Sequence, residues 1–128
     1  MLDHKIAVYV PSTIKGNKPA PATLVTKWER QAKITLASLF GGFTAYHGQG
    51  GWFSEEHGLI EENVTIVQAF TDAAGLEKVG KVKELAQQIA TEMEQEVVSV
   101  EVDGQLNFIA PPADVITIGQ PKALSEVA

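Results

Sequence analysis

The 128-residue sequence contains no cysteine, which excludes disulfides, thiolate nucleophiles and cysteine-ligated metals. It also has no apolar run long enough to span a bilayer, and residues 1–4 lack the charged-then-apolar plan of a signal peptide. These absences predict a soluble cytoplasmic protein with no membrane partner. The length fits one α+β domain over residues 1–110, followed by a C-terminal tail over residues 111–128.

Charge is divided unevenly along the chain. The net charge is −6, but residues 1–40 carry +4 and the remainder carries −10. An acidic body disfavours broad nucleic-acid binding, and the sheet lacks the paired aromatic motifs with which such folds stack RNA bases. The basic end could attract a small anion such as a phosphate, or it could be the ordinary solvated face of a helix.

The first half of the chain predicts a strand, a loop and a helix. Residues 5–10 are apolar and β-rich, and Pro11 ends them. Residues 11–21 have the Pro, Gly, Asn and Ser content of a mobile, irregular loop. A helix then begins at Thr23 or Thr26, where residues 26–29 fit a capping box. Its apolar stripe is Trp28, Ala32, Leu36, Leu39 and Phe40, and Gly41-Gly42 ends it.

The second half predicts two hairpins around a second helix. Residues 43–53 form a Gly-rich strand with a bulge or a close backbone approach, and residues 55–58 a polar turn before a buried strand over 63–70. Asp72 can cap a helix whose apolar face runs from Leu76 to Met93. Asp103-Gly104 is typical of a type I′ turn that joins strands over 96–102 and 106–109. The apolar patch at 115–118 would dock on the domain, add to a neighbour's sheet, or fray.

This order predicts a ferredoxin-like split βαβ fold, β-α-β-β-α-β, with one extra hairpin strand. Both helices would lie on one face of an antiparallel sheet. The other sheet face would need cover, and a second subunit commonly supplies it. We therefore expect a homo-oligomer.

Several short motifs are scattered over residues 36–109. They are Leu39-Phe40-Gly41-Gly42 with Thr44, Gly51-Trp52, Gly58-Leu59 with Glu61-Glu62, and Gln95 to Val100. Together they resemble a family of small bacterial and phage proteins of unknown function. The resemblance implies a ferredoxin-like fold and an origin in phage or mobile elements. It implies no activity and no catalytic residues, and Tyr46 and His47 are not part of the pattern.

The ligand-binding candidates surround the glycine run and the basic segment. Tyr46, His47, Trp52 and Phe53 could stack on a nucleobase, while Lys15, Lys18, Lys27 or Arg30 meets its phosphates. Alternatively, Trp52 and Phe53 belong to the core or to a subunit interface. The glycines are not a P-loop, because no Lys-Ser or Lys-Thr pair follows them.

Other chemistry has less support in the sequence. His47, Glu55, Glu56 and His57 are suitable metal ligands. However, residues 55–57 are typical of an ordinary polar turn, and adjacent strand residues point to opposite faces, so no metal and no cofactor is predicted. His47 is a candidate general base, yet the sequence shows no nucleophile and no carboxylate to orient it.

The sequence thus predicts a non-enzymatic homo-oligomer that binds a small anionic, nucleotide-like ligand. A phage origin would make it a sponge that sequesters a host nucleotide signal as a counter-defence. Two alternatives stay open: a nucleotide-processing hydrolase that uses His47, and a protein-interaction module that uses the sheet face.

Overall fold

The structure, a computed structural model, describes residues 1–113. In this part of the chain the elements are β1 (His4–Pro11), β2 (Thr13–Ile14), β3 (Lys18–Pro19), α1 (Ala22–Phe40), β4 (Thr44–Ser54), β5 (Gly58–Thr71), α2 (Val79–Glu92), β6 (Val98–Val102) and β7 (Gln105–Ile109). Short 3-10 helices occupy Lys15–Asn17 and Gly75–Lys78. The predicted patch at 115–118 lies outside the described residues.

Five strands form one antiparallel sheet in the order β4-β5-β1-β6-β7. Four of them have the order of a ferredoxin-like split βαβ fold, and β7 extends the sheet at one edge. The predicted α+β fold with an extra hairpin strand is confirmed. Neither helix of the described region has both the length and the apolar composition that crossing a lipid bilayer requires.

The core lies between one sheet face and the two helices. Ile6, Val8 and Val10 alternate along β1 and are buried against residues of α1 and α2. Within the predicted stripe of α1, Trp28, Ala32 and Leu36 are buried, while Leu39 and Phe40 pack partly buried at its edge. The buried face of α2 is formed by Val82, Leu85, Ala86, Ile89 and Ala90. Because both helices cover the same side, the opposite side of the sheet, here called the open face, carries no helix.

The start of α1 differs from the prediction. The helix begins at Ala22 after Pro21, whose backbone takes the N-cap position without a side-chain hydrogen bond. The predicted caps at Thr23 and Thr26 are wrong, since both residues lie inside the helix. Glu29, the expected partner in the capping box, instead accepts a hydrogen bond from Thr65 on β5. The predicted end is confirmed: Gly41 is left-handed at φ 90°, and its N–H donates to Ala37 O at 2.8 Å.

Residues 11–21 are more regular than predicted. Thr13 pairs with Pro19 and Ile14 with Lys18, so β2 and β3 form a small two-stranded ribbon. Asn17, at φ 61°, makes the reversal between them. The Ala20 N–H donates to Ser12 O at 2.9 Å and closes the segment. The irregular loop expected from composition is therefore wrong, because local backbone pairing satisfies polar groups that composition alone leaves unassigned.

The predicted hairpin turn at residues 103–104 occurs as expected, and the predicted cap at Asp72 occurs on a shorter helix. Asp103 and Gly104 have φ of 51° and 83°, the positive pair that a type I′ turn requires. Asp72 Oδ1 accepts a hydrogen bond from Gly75 N–H at 2.9 Å. This cap acts on the 3-10 helix that precedes α2 rather than on α2 itself, which begins at Val79.

The β4–β5 hairpin extends well beyond the rest of the sheet. Pairing between β4 and β5 is continuous from Thr44–Gln68 to Ser54–Gly58, whereas the last partner of β1 on β5 is Val64. Residues 49–63 therefore form a two-stranded arm, about 20 Å long at ~3.3 Å per residue. The glycines introduce no bulge, so that alternative is wrong. The other alternative, a close approach, occurs at Gly51, where an added Cβ would lie 2.8 Å from Ile60 O.

Candidate functional site

The sequence-predicted ring cluster is distributed over both faces of the sheet. Tyr46 points to the open face, where 44% of its surface is exposed, and its hydroxyl lies 3.4 Å from Gln68 Oε1. His47 is the next residue on a continuous strand and therefore points to the helix side. The two side chains do not share a pocket.

Trp52 and Phe53 lie on the arm, six and seven residues further along β4 than Tyr46. They also alternate: Trp52 is on the side continuous with the open face and Phe53 on the other. Their exposed fractions are 61% and 74%, so neither is a core residue of this chain. Their role as ligand-binding residues stays a prediction.

The four predicted phosphate-binding residues have different environments. Lys27 is paired with Glu92 on α2, with Nζ 2.7 Å from Oε1, and it also lies 4.9 Å from the centre of the Trp28 ring. Arg30 is exposed on α1. Lys15 and Lys18 are exposed in the segment that contains β2 and β3. Lys27 is thus engaged in joining the two helices, whereas the other three have no ion pair among residues 1–113.

A row of apolar and phenolic side chains crosses the open face. Tyr46 on β4 and Tyr9 on β1 both pair with Ile66 on β5, and we call these three residues the tyrosine row. Two strand spacings separate the tyrosines by about 10 Å. The row offers an apolar floor with a phenol at each side, a width that suits a planar purine.

Polar groups lie beside this row. Ala7 pairs with Gln68 on one side and with Glu101 on the other. Tyr9 donates its hydroxyl hydrogen to Glu101 Oε1 at 3.0 Å, and Lys5 Nζ lies 3.3 Å from Glu101 Oε2. Burial raises the pKa of the Tyr9 phenol, and the hydrogen bond to Glu101 raises it further. Tyr9 therefore remains a donor at neutral pH and holds the Glu101 carboxylate in place.

A second polar cluster lies on the helix side. Thr65 is buried on β5, donates its hydroxyl hydrogen to Glu29 Oε2, and lies with Oγ1 3.0 Å from His47 Nδ1. A hydroxyl has one hydrogen, so Nδ1 must be the donor to Thr65. In the neutral ring this leaves Nε2 as an unprotonated acceptor directed away from the cluster, on a side chain that is 82% exposed. Glu29 is the orienting carboxylate that sequence reasoning did not find.

Two open grooves lie elsewhere, between α1 and α2. The larger, of about 620 Å³, is lined by Trp28, Glu84, Gln87, Gln88, Thr91, Glu92 and Pro112. The smaller follows the same helices nearer Ile34 and Lys81. Neither includes a sequence-predicted site residue. Among residues 1–113, no three histidine, aspartate or glutamate side chains are close enough to hold a metal ion together.

Sequence reasoning missed Tyr9, Glu101, Glu29 and Thr65. Tyr9 and Lys5 alternate with the core residues of β1, and Glu101 alternates with Val100 and Val102, so the period of two already placed all three on one face. This alternation was the signal that could have identified Tyr9 and Glu101 as neighbours on the open face. Glu29 and Thr65 are 36 residues apart, and only the packing of α1 on β5 brings them together.

Comparison with known proteins gives structural neighbours only. No protein-family model matches the sequence, and no curated protein matches it. The resemblance at residues 36–109 therefore stays a prediction. A phage SAM lyase in complex with S-methyl-5′-thioadenosine superposes with a TM-score of 0.57 at 15% identity, covering 84% of this chain and 88% of that chain. A phage SAM lyase in the apo state gives a TM-score of 0.58 at 16% identity, covering 85% and 90%. At such identities the likeness shows a shared fold.

Proposed function

We propose that this protein binds S-adenosylmethionine (SAM) on its open face and cleaves it, which releases S-methyl-5′-thioadenosine. The observation that carries the proposal is the tyrosine row beside the Glu101 carboxylate. The fold likeness to a phage SAM lyase holding that thioether supports it, since the likeness spans most of both chains. The proposal extends to a phage counter-defence role in the host cytoplasm.

The chemistry of SAM fits the charge of the open face. Its sulfonium and ammonium groups outweigh its carboxylate, so SAM is a cation at neutral pH, and residues 41–128 carry −10. An adenine ring can stack against a phenol of the tyrosine row. Glu101 can attract the sulfonium or accept hydrogen bonds from the ribose. The thioether has no phosphate, so this version of the site does not need Lys15, Lys18, Lys27 or Arg30, and the predicted anionic ligand becomes a cationic one.

The proposed reaction breaks the bond between the sulfonium sulfur and the first methylene of the aminobutyrate chain. The electron pair of that bond goes to sulfur, which becomes a neutral thioether. The methylene carbon then either bonds to an oxygen nucleophile or forms a double bond with its neighbouring carbon. The nucleophile is the substrate's own carboxylate, or a water molecule that gives up a proton to solvent or to a base. The double bond takes the electrons of the neighbouring C–H bond, whose proton passes to a base. In each case charge is lost at sulfur, so orientation and dry surroundings contribute more than a protein nucleophile does.

The open face carries no helix, and a second copy of the chain is the proposed cover. An uncovered sheet face cannot exclude water from a ligand by itself, whereas ligand sites bury most of their ligand. The exposed apolar side chains Phe70, Leu106 and Phe108 on the same face suit an interface between subunits. The predicted homo-oligomer is thus part of this proposal.

The test is to incubate the protein with SAM and to follow SAM and S-methyl-5′-thioadenosine by liquid chromatography and mass spectrometry. We expect the thioether to accumulate, and Glu101→Gln and Tyr46→Ala to slow its release by at least about tenfold. Lys81→Ala is the control, because Lys81 is exposed on α2, away from the open face and the arm. If neither Glu101→Gln nor Tyr46→Ala lowers the activity, the assignment of the site to the open face is wrong.

The His47 cluster supports a second candidate, the hydrolase alternative. Nε2 of His47 is available as a base because Thr65 and Glu29 fix the hydrogen on Nδ1. Turnover that yields a water-derived product and is abolished by His47→Ala would favour this cluster over the open face. SAM or the thioether retained intact at a fixed ratio per oligomer, with no turnover, would instead favour sequestration.

A further inference from the structure

We infer that the arm, residues 49–63, docks on a second copy of this chain, with Trp52 and Phe53 as its apolar anchors. This inference does not rest on the proposed function. It concerns a part of the molecule that the open-face site does not use, and it commits to one partner, whose basic residues 15–33 receive the acidic arm.

The apolar side chains of the arm tip are uncovered on both sides. Trp52 pairs with Ile60, and Phe53 pairs with Leu59, so each side of the two-stranded tip has one aromatic and one aliphatic side chain. Trp52, Phe53 and Leu59 are 61%, 74% and 65% exposed. A two-stranded hairpin has little stability alone in water, and exposed apolar groups of this size are typical of interfaces.

The base of the arm is fixed to the body. Ser12 Oγ donates to Asn63 O at 2.6 Å, and Thr13 Oγ1 donates to Glu62 Oε2 at 2.7 Å. Gln95 Nε2 in turn donates to Thr13 O at 2.7 Å, which connects this segment to the end of α2. The base of the arm is therefore fixed before a partner binds, so docking the tip costs less conformational entropy.

The negative charge of the arm favours a basic region of the second copy as its docking surface. The arm carries Glu55, Glu56, Glu61 and Glu62 and no lysine or arginine. Four cations between residues 15 and 33 form no ion pair among residues 1–113, namely Lys15, Lys18, Arg30 and Lys33. Lys78 and Lys83 form none either, but residues 15–33 contain the larger group. The arm tip lies about 20 Å beyond the strand pairing of its own sheet. A neighbouring copy offers these cations to the carboxylates, while its apolar surface receives the rings.

The experiment measures the oligomeric state of the full chain by native mass spectrometry and light scattering across a dilution series. We expect the wild type to associate, and Trp52→Ala with Phe53→Ala to raise the dissociation constant at least about tenfold. The matched control is Leu2→Ala with Phe43→Ala, which removes two exposed apolar side chains outside the arm, the open face and residues 15–33, and should shift the constant less than about threefold. Circular dichroism checks that each variant is folded.

A charge exchange tests the partner surface. Glu55→Lys with Glu56→Lys should weaken association, and adding Arg30→Glu with Lys33→Glu in the same chain should restore it. A monomeric wild type, or arm variants that associate as tightly as the wild type, would overturn the inference. Failure of the charge exchange to restore association would overturn the assignment of residues 15–33 as the docking surface.

Discussion

The phenol of Tyr9 donates to the carboxylate of Glu101 at 3.0 Å, across two neighbouring strands of the open face. The two residues are 92 positions apart in the sequence, and the pairing of β1 with β6 brings them together. Burial keeps the pKa of the Tyr9 phenol raised, so its hydrogen stays in place for this bond at neutral pH. The carboxylate is therefore oriented before any ligand arrives.

Glu101→Gln should distinguish charged from neutral ligands. Sinefungin has a protonated amine where SAM has its sulfonium, whereas S-adenosylhomocysteine has a neutral thioether at the same place. We expect the variant to bind sinefungin about tenfold more weakly and S-adenosylhomocysteine less than about threefold more weakly, because the substitution removes charge and keeps shape. Isothermal titration calorimetry measures both. Equal losses for the two ligands would contradict a role for Glu101 in attracting the positive centre.

Thr65→Val tests whether the helix-side cluster stabilises the fold. Thr65 is buried, and its hydroxyl bonds both Glu29 and His47, so its loss should cost about 1–2 kcal/mol of unfolding free energy. His47→Ala should cost less than about 0.5 kcal/mol because the His47 side chain is mostly exposed. Urea denaturation gives both values. A larger effect of the histidine variant would show that this account of the cluster is wrong.

Two glycines near the start of α2 should respond oppositely to alanine. A Cβ at Gly75 would lie 1.7 Å from Thr71 Oγ1 and 2.8 Å from Thr71 Cβ, and Thr71 is buried. Gly75→Ala should therefore destabilise the protein by about 2 kcal/mol or more. Gly80 lies in the helix with open space around its Cβ position, and Gly80→Ala should stabilise by about 0.5–1 kcal/mol. Thermal and urea unfolding measure the stability of the two variants. An unchanged stability in both would contradict the packing described at Thr71.

The His4–Asp103 pair should make stability depend on pH. His4 Nδ1 lies 2.7 Å from Asp103 Oδ2, and this hydrogen bond raises the His4 pKa above 6.5 and lowers the Asp103 pKa below 3.8. The raised histidine stabilises the fold below pH 6.5 and loses its effect as the pH rises through its folded pKa. The lowered aspartate stabilises above pH 3.8 and loses its effect as the pH falls through its folded pKa.

The contribution of the pair should therefore be largest between about pH 4 and 6.5. We expect the melting temperature of His4→Ala to fall furthest below that of the wild type near pH 5, and the difference to shrink as the pH rises above 6.5 through the folded pKa of His4. His57→Ala serves as the control for removing an exposed histidine. A wild-type difference that is constant from pH 5 to 8 would show that the pair does not form as described.

Much of the fold could be predicted because local patterns and tertiary structure agree. The alternation along β1, the four-residue spacing of Trp28, Ala32 and Leu36, and the Asp103-Gly104 turn each specify their element without help from distant residues. The start of α1 could not be predicted in this way. Its capping-box sequence is genuine, but Glu29 has a better partner in Thr65, which only tertiary packing supplies.

The candidate site was harder to predict for a related reason. Clustering in sequence suggested that Tyr46, His47, Trp52 and Phe53 form one pocket, but an unbroken strand sends neighbouring side chains to opposite faces. The bulge that would have changed this alternation is absent from β4, because all eleven of its residues pair in register with β5. Of these four residues only Tyr46 belongs to the proposed open-face site, and its partners there, Tyr9 and Glu101, come from β1 and β6.

The most direct measurement is the fate of SAM in the presence of the purified wild-type protein and its Glu101→Gln variant. Mass spectrometry of the small molecules should show loss of SAM, matching release of S-methyl-5′-thioadenosine, and a rate at least about tenfold lower for the variant. SAM that remains intact and unbound in the presence of the folded wild-type protein would contradict the proposed function.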